Sequence, residues 1–364
     1  MTTATTTTST RVIRDYDRPL WRRIFVNREF AIIALLVLVA IVAAVTIRGF
    51  AQPITANYLL LDVAPILLIA LPMTLVMITG EIDLSVGSMV GLASVVTGVL
   101  TESGAPFEVA ALAALLVGVV GGAFNGFLVT VVGLPSLAVT IGTLALFRGL
   151  AVGLLGTTAV TDFPETWTAL AKAKIAGTTI PYIVIPFLIL LVLFAVLLHF
   201  TPFGRGIFAI GLSKDAARFS GVDVERTKFI LFVLSGVVAA FAGIFYTLRF
   251  GSARGDNATG LELQVIAAVV LGGVSVFGGR GHLHGVVAAV LLIGVLGSSL
   301  RLAGVTSDVI NIITGGLLIF SVVAASVLAW AQRVRSKAGP PLRVAASPAP
   351  VSYTHLRAHE TPEH

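Results

Sequence analysis

The sequence predicts an all-α, polytopic membrane protein of about ten transmembrane helices, and three observations predict it. Of the 364 residues, 57% are hydrophobic and 12% charged, about half the charged share of an average soluble domain and too little to dress a water-facing surface. The apolar residues fall in unbroken runs such as Phe30 to Ile47 and Val309 to Trp330, each near the ~20 residues that cross a bilayer. The 37 glycines recur at four-residue spacing, as at Gly118, Gly122 and Gly126, where small residues let helix backbones approach closely in lipid.

Taken in order, a Thr-rich start and a basic stretch, Arg11 to Arg28, precede the first apolar run with no small-residue cleavage site. Residues 1–29 therefore read as a cytoplasmic tail. Ten spans follow at 30–47, 59–79, 84–100, 107–131, 137–156, 180–199, 228–248, 262–277, 284–300 and 309–330, so the transmembrane region covers 30–330 with a long loop at 200–227. Residues 331–350 form a second cytoplasmic tail, its Pro- and Ala-rich part expected to be disordered. Residues 351–364 change abruptly to polar, His-rich sequence and read as a non-native cloning or sequencing scar.

An even number of spans puts both termini on one side, and the basic residues say which. With the N-terminus inside, the cytoplasmic segments hold sixteen Lys and Arg, among them Arg205, Lys214, Arg218, Arg226, Lys228 and Arg280; the opposite loops hold six, Arg48, Lys172, Lys174, Arg249, Arg254 and Arg301. The positive-inside rule gives N-in, C-in. The formal net charge of +6 thus marks topology rather than nucleic-acid binding.

Several chemistries are excluded. Cysteine is absent, so there is neither a disulfide nor a thiolate metal site. No HExxH pattern occurs, and His282 and His284 sit in a short polar turn, reading as solvated side chains rather than metal ligands. There is no GxxxxGK[ST] phosphate loop and no GxSxG, so this chain carries no ATP site of that kind and no serine-hydrolase elbow.

Three segments remain as candidates for function. The first, Thr79 to Ser88, sets Glu81 and Asp83 between apolar runs; a carboxylate deep in lipid costs about 2.5–3.5 kcal/mol, which places them at a water-accessible helix break or turn. Asp83 or Ser85 also suits the N-cap of the third span. The second is the loop 200–227. Ser213 suits an N-cap, Asp215 a first turn and Gly221 a stop, so Lys214 to Ser220 is expected to form a two-turn amphipathic helix, either a partner-docking element or a solvated connector. The third is Arg148, which inside an apolar span must snorkel, pair with an acid or line a polar cavity. Asn125, Thr140, Thr143 and Asn311 are further polar groups in spans, able to bind sugar hydroxyls or neighbouring helices.

At these residues the sequence resembles the ribose-type sugar permeases of ATP-binding-cassette (ABC) importers, from about Asn57 to Leu328. The match is carried by Gly80-Glu-Ile-Asp-Leu-Ser-Val-Gly87, Asn125-Gly126, Leu134-Pro-Ser136 with Val139 to Thr143, Arg148-Gly149, Gly204-Arg205, Ala216 to Gly221, Ala267 to Ser275 and Gly278-Gly279. Glu81, the run Arg249 to Arg254 and Gly260-Leu-Glu262 are most similar to rhamnose-type members; ribose, xylose, galactose and the furanosyl signal autoinducer-2 are carried by close relatives. The resemblance implies a permease dimer, identical or mixed, with two cytoplasmic ATPase subunits that hold the ATP and Mg, and a periplasmic or lipid-anchored sugar-binding protein, in a bacterial inner membrane.

It further implies that Gly204, Arg205, Ser213, Asp215, Ala216, Ala217, Arg218 and Gly221 belong to the ATPase-coupling loop, Ala217 lying on the face that meets the ATPase groove. Glu81, Asp83, Ser85, Asn125, Thr140, Thr143, Arg148 and Asn311 become candidates for the substrate pathway. On the outward side Arg249, Arg254 and Glu262 become candidates for receiving the binding protein, or for local pairing. Two other classes remain open: an ion-coupled secondary transporter, which needs several acids buried mid-span, and a membrane enzyme, for which no nucleophile, metal cluster or acid–base pair is present.

Overall fold

The computed structural model describes residues 28–306 and scattered positions from 308 to 323; Asn311 lies outside the described residues. The helices are α1 (Arg28–Thr46), α2 (Pro53–Ile78), α3 (Val86–Glu102), α4 (Phe107–Thr130), α5 (Ser136–Leu155), α6 (Glu165–Lys172), α7 (Val184–Phe200), α8 (Pro202–Leu212), α9 (Lys214–Phe219), α10 (Val224–Phe250), α11 (Leu261–Leu271) and α12 (Leu283–Leu302). Two-residue strands β1 (Ala159–Val160) and β2 (Ala253–Arg254) pair antiparallel.

The centre of the bundle is α2. Its sequence is apolar on every side, which is the pattern of a helix with no outward face, and every residue from Val63 to Ile78 is buried. Pro65 and Pro72 interrupt its hydrogen-bond ladder, tolerable where neighbouring helices enclose the backbone. Around it stand α7, α10, α11 and α12. α4 lies on the far side of α10, and the glycine spacing decides that contact. A Cβ on Gly118 would come within 2.5 Å of the Gly236 carbonyl oxygen, and one on Gly122 within 2.5 Å of that of Phe232. The backbones touch because the side chains are missing. The outward faces of α4, α5 and α7 present Leu116, Val120, Ile141, Leu150, Ile189 and Val192, the apolar surface that lipid requires.

Among the described residues, α2, α4, α5, α10 and α12 are long and apolar enough to cross a membrane, and the pair α7 and α8, bent by 69°, makes a sixth candidate. Two of the expected boundaries need correcting. The run 262–277 is helical only to Leu271: Gly272 presses on the backbone of Val286, and Gly273 adopts φ +95°, a conformation that ends a helix. The loop expected from residue 200 instead opens with α8, where Thr201 accepts a hydrogen bond from the Gly204 amide at 3.1 Å and Pro202 occupies the first turn. The last run, 309–330, lies largely outside the described residues.

The helices alternate between two ends. One end gathers the α2–α3 break, α8, α9, the start of α10 and the α11–α12 turn; we call it the basic end. The other gathers α6, the β1–β2 pair, the 251–260 loop and the end of α12. At the basic end three backbone segments cross at glycines: Gly279 donates its amide to the Ile78 carbonyl at 2.8 Å, and Gly211 lies against both.

Candidate functional site

At the basic end, Ser213 caps α9 by accepting from the Ala216 amide at 3.3 Å, and Gly221 ends it at φ +84°, as the sequence indicated. The six-residue helix is exposed except at Ala217, which is 2% exposed and buried with Ile210 and Val224. The expectation that Ala217 faces outward is therefore corrected: of the two alanines in this short helix, Ala217 seats it against the bundle and Ala216 faces out. The outward surface comes instead from Asp215, Ala216, Arg218 and Phe219, the last 93% exposed, with Leu212 and Phe277 standing out on the same end of the bundle. Arg218 pairs with Glu225 on the first turn of α10. Gly204 is buried against the Leu198 backbone and Arg205 is exposed.

The α2–α3 break holds two carboxylates with different partners. Glu81 Oε1 accepts from Lys228 Nζ at 2.6 Å and from Lys214 Nζ at 3.0 Å. Burial alone would lift its pKa, but the bonds from Lys228, Ser136 and Lys214 outweigh that and hold the carboxyl below its ordinary range. Burial would likewise lower Lys214, but the Glu81 carboxylate outweighs it and raises the ammonium above its usual value.

Asp83 is fully inside. Its Oδ1 accepts from the Ser85 amide (3.0 Å) and hydroxyl (2.6 Å), and its Oδ2 from Ser235 on α10 (2.7 Å). Ser85 stands at the cap position of α3 without capping it through its side chain, because its hydroxyl is spent on Asp83. Asn125 donates to that same hydroxyl at 2.8 Å, leaving its own Oδ1 buried without a protein partner.

The other pathway candidates serve the bundle wall. Thr140 bonds the Ser136 carbonyl (2.8 Å) and the Ile82 carbonyl (3.2 Å), and Thr143 the Val139 carbonyl. Arg148 donates to the carbonyls of Gly255 (2.8 Å) and Asn257 (2.7 Å), clamping α5 to the 251–260 loop. The Glu262 side chain lies against Gly87, where a Cβ would overlap it.

At the opposite end a cavity of about 540 Å³ is lined by Asp62, Tyr246, Phe250, Arg254, Asn257 and Gln264 among others, and a smaller one of about 200 Å³ shares Asp62, Gln264 and Arg301 with it. Asp62 bridges Arg249 and Arg301, both at 3.2 Å. Arg254 forms two hydrogen bonds with Asp256, each 2.9 Å. Neither outward arginine pairs with Glu262 in a direct contact; each has a nearer acid. Alternating acceptors, donors and two aromatic rings suit a neutral, hydroxyl-rich solute, since each hydroxyl both donates and accepts.

A family described as branched-chain amino acid transport system / permease component matches residues 55–322. The chain belongs to that family. The permease is also similar to proteins named autoinducer 2 import system permease protein LsrD. It is 36% identical to that of Photorhabdus laumondii over 327 residues, covering 85% of this chain and 96% of the relative. The identity is 38% to that of Escherichia coli K12 over 322 residues, covering 86% and 96%. No solved structure matches it. The resemblance to ABC-importer permeases is thereby borne out: the permease is a multi-pass membrane transport subunit and not an enzyme.

Sequence reasoning missed Asp62, Tyr246, Gln264, Lys214 and Lys228. Lys228 carried a usable signal, a lysine at the first position of the predicted span 228–248. Asp62 carried one too, an acid near one end of the predicted span 59–79; Tyr246, Gln264 and Lys214 carried none.

Proposed function

We propose that this permease forms, with a second permease subunit, the import pathway for a small polyhydroxylated solute, received at the cavity end from a binding protein and driven by ATPase subunits docked on α9. The cavity around Asp62 carries the reading: its paired charges, amides and rings offer alternating hydrogen-bond partners without a net charge that demands an ionic solute. Autoinducer 2 heads the solutes to test, on the names of the relatives, ahead of rhamnose and ribose. The basic end is then cytoplasmic, in keeping with the positive-inside rule.

The deciding experiment is uptake of labelled autoinducer 2, rhamnose and ribose into proteoliposomes holding the permease, its ATPase and its binding protein. Uptake of one of these that requires interior ATP supports the reading. Uptake by the permease alone under an ion gradient overturns it.

Arg254 supplies a second test. Of the two arginines taken as docking candidates it has the more exposed side chain, 56% against 14% for Arg249, and it lines the cavity. Exposed charges steer docking, and that steering fades as the screening length falls from ~10 Å at 0.1 M salt to ~3 Å at 1 M. Arg254→Glu is expected to slow association of the loaded binding protein and flatten its salt dependence, read by surface binding across a salt series. An unchanged rate and slope would leave Arg254 with only its local pair.

A further inference from the structure

We propose that Glu81 is the joint through which movement of α9 reaches the α2–α3 break, a positioning residue for transport rather than a substrate contact. The proposal rests on the reading of α9 as the helix that ATPase subunits engage.

The geometry singles out this residue. One carboxylate oxygen, Glu81 Oε1, holds an ammonium from α9 and another from the base of α10. Two residues further on, Asp83 is fixed to Ser235 midway along α10 and, through Ser85, to Asn125 on α4. The break between α2 and α3 is thus fastened at one point to α9 and at the next to two helices of the bundle. With only Ile82 between the two carboxylates, and its amide facing the Ser136 hydroxyl at 3.3 Å while its carbonyl accepts from Thr140, there is no slack chain to absorb a displacement. A shift of Lys214 must therefore be passed to Asp83 and α3, or the ion pair must break.

Burial separates this role from a merely stabilising one. The Glu81 and Lys228 side chains are 8% exposed, whereas that of Lys214 is 53% exposed. An ion pair with one partner in water contributes little to stability, so removing the Lys214 ammonium should leave the buried Glu81–Lys228 pair and the fold in place. What is lost is the link between α9 and the break.

The test uses the complete transporter, permease with ATPase subunits and binding protein, in proteoliposomes, with labelled autoinducer 2 as the transported probe. The quantities read are co-purification of the ATPase and the number of probe molecules imported per ATP hydrolysed. Lys214→Met is expected to assemble normally and to lower that ratio by about fivefold or more, the lower end of ordinary coupling free energies, while Lys214→Arg, which restores a charge at nearly the same reach, recovers most of it. A wild-type ratio in Lys214→Met overturns the proposal, as does a ratio lowered equally in Lys214→Arg. Failure of the underlying reading shows differently: Phe219→Asp, on the outer face of α9, would then leave ATPase co-purification unchanged.

Discussion

Glu81→Ala is expected to destabilise the permease by about 3–5 kcal/mol, the cost of stranding a buried charge when its partner is removed. Lys214 can turn to water, but Lys228, 8% exposed, cannot. Adding Lys228→Met removes the stranded ammonium, so the double variant should recover most of the loss, and thermal melting of the four detergent-purified proteins closes the cycle. If the double variant melts no higher than Glu81→Ala alone, the pair is not what holds this site. The same ionisations set a pH window. Glu81 is held below its ordinary value, so its contribution is present above that value and is lost as acid protonates it; Lys214 is raised, so its contribution is present below the ordinary lysine value and lost as alkali removes the proton. The Glu81–Lys214 pair is therefore whole from about pH 5 to about pH 10.

Gly211→Ala is expected to be nearly as damaging, although it adds a single methyl. The new carbon would overlap the Ile78 carbonyl oxygen and the Gly279 amide and sit 2.9 Å from the Gly279 Cα, on top of the hydrogen bond that joins those two segments. Every clashing atom is backbone, so no rotamer relieves it. Overpacking of this kind costs about 1–3 kcal/mol and more where nothing yields. Gly142→Ala is the matched control, because a Cβ there meets nothing within 4 Å. Monodispersity and melting temperature should fall for Gly211→Ala and hold for Gly142→Ala; equal behaviour would show that the crossing has room.

These two sites mark where the sequence was legible and where it was not. The long apolar runs announce α2, α4, α5, α10 and α12 because hydropathy and length are local properties, and Ser213 and Gly221 announce α9 because caps are local too. The end of α11 escaped because Val274, Val276 and Phe277 keep the stretch hydrophobic after the backbone has turned at Gly273, which hydropathy does not register. α8 escaped because its cap, Thr201-Pro202, stands in a glycine-rich stretch that reads as a loop. The orientation of Ala217 was hidden for a related reason: a helix of six residues has no periodicity to establish a buried face. The partners of Glu81 lie beyond any local reading, and so does the gathering of Asp62, Arg249 and Arg301 into one cluster.

The separation of those partners has a consequence for how the chain is made. Glu81 and Asp83 are delivered to the membrane early, yet Lys228 is 147 residues later than Glu81 and Ser235 is 152 later than Asp83. At a synthesis rate of about 5–20 residues per second, Glu81 waits on the order of ten seconds for Lys228, and Asp83, held meanwhile only by Ser85, waits as long for Ser235. During that interval the first helices form a nascent bundle with an unfinished polar seam, which the insertion machinery or water must shelter. A chain cut short before α10 lacks Lys228 and Ser235, so its polar seam cannot close.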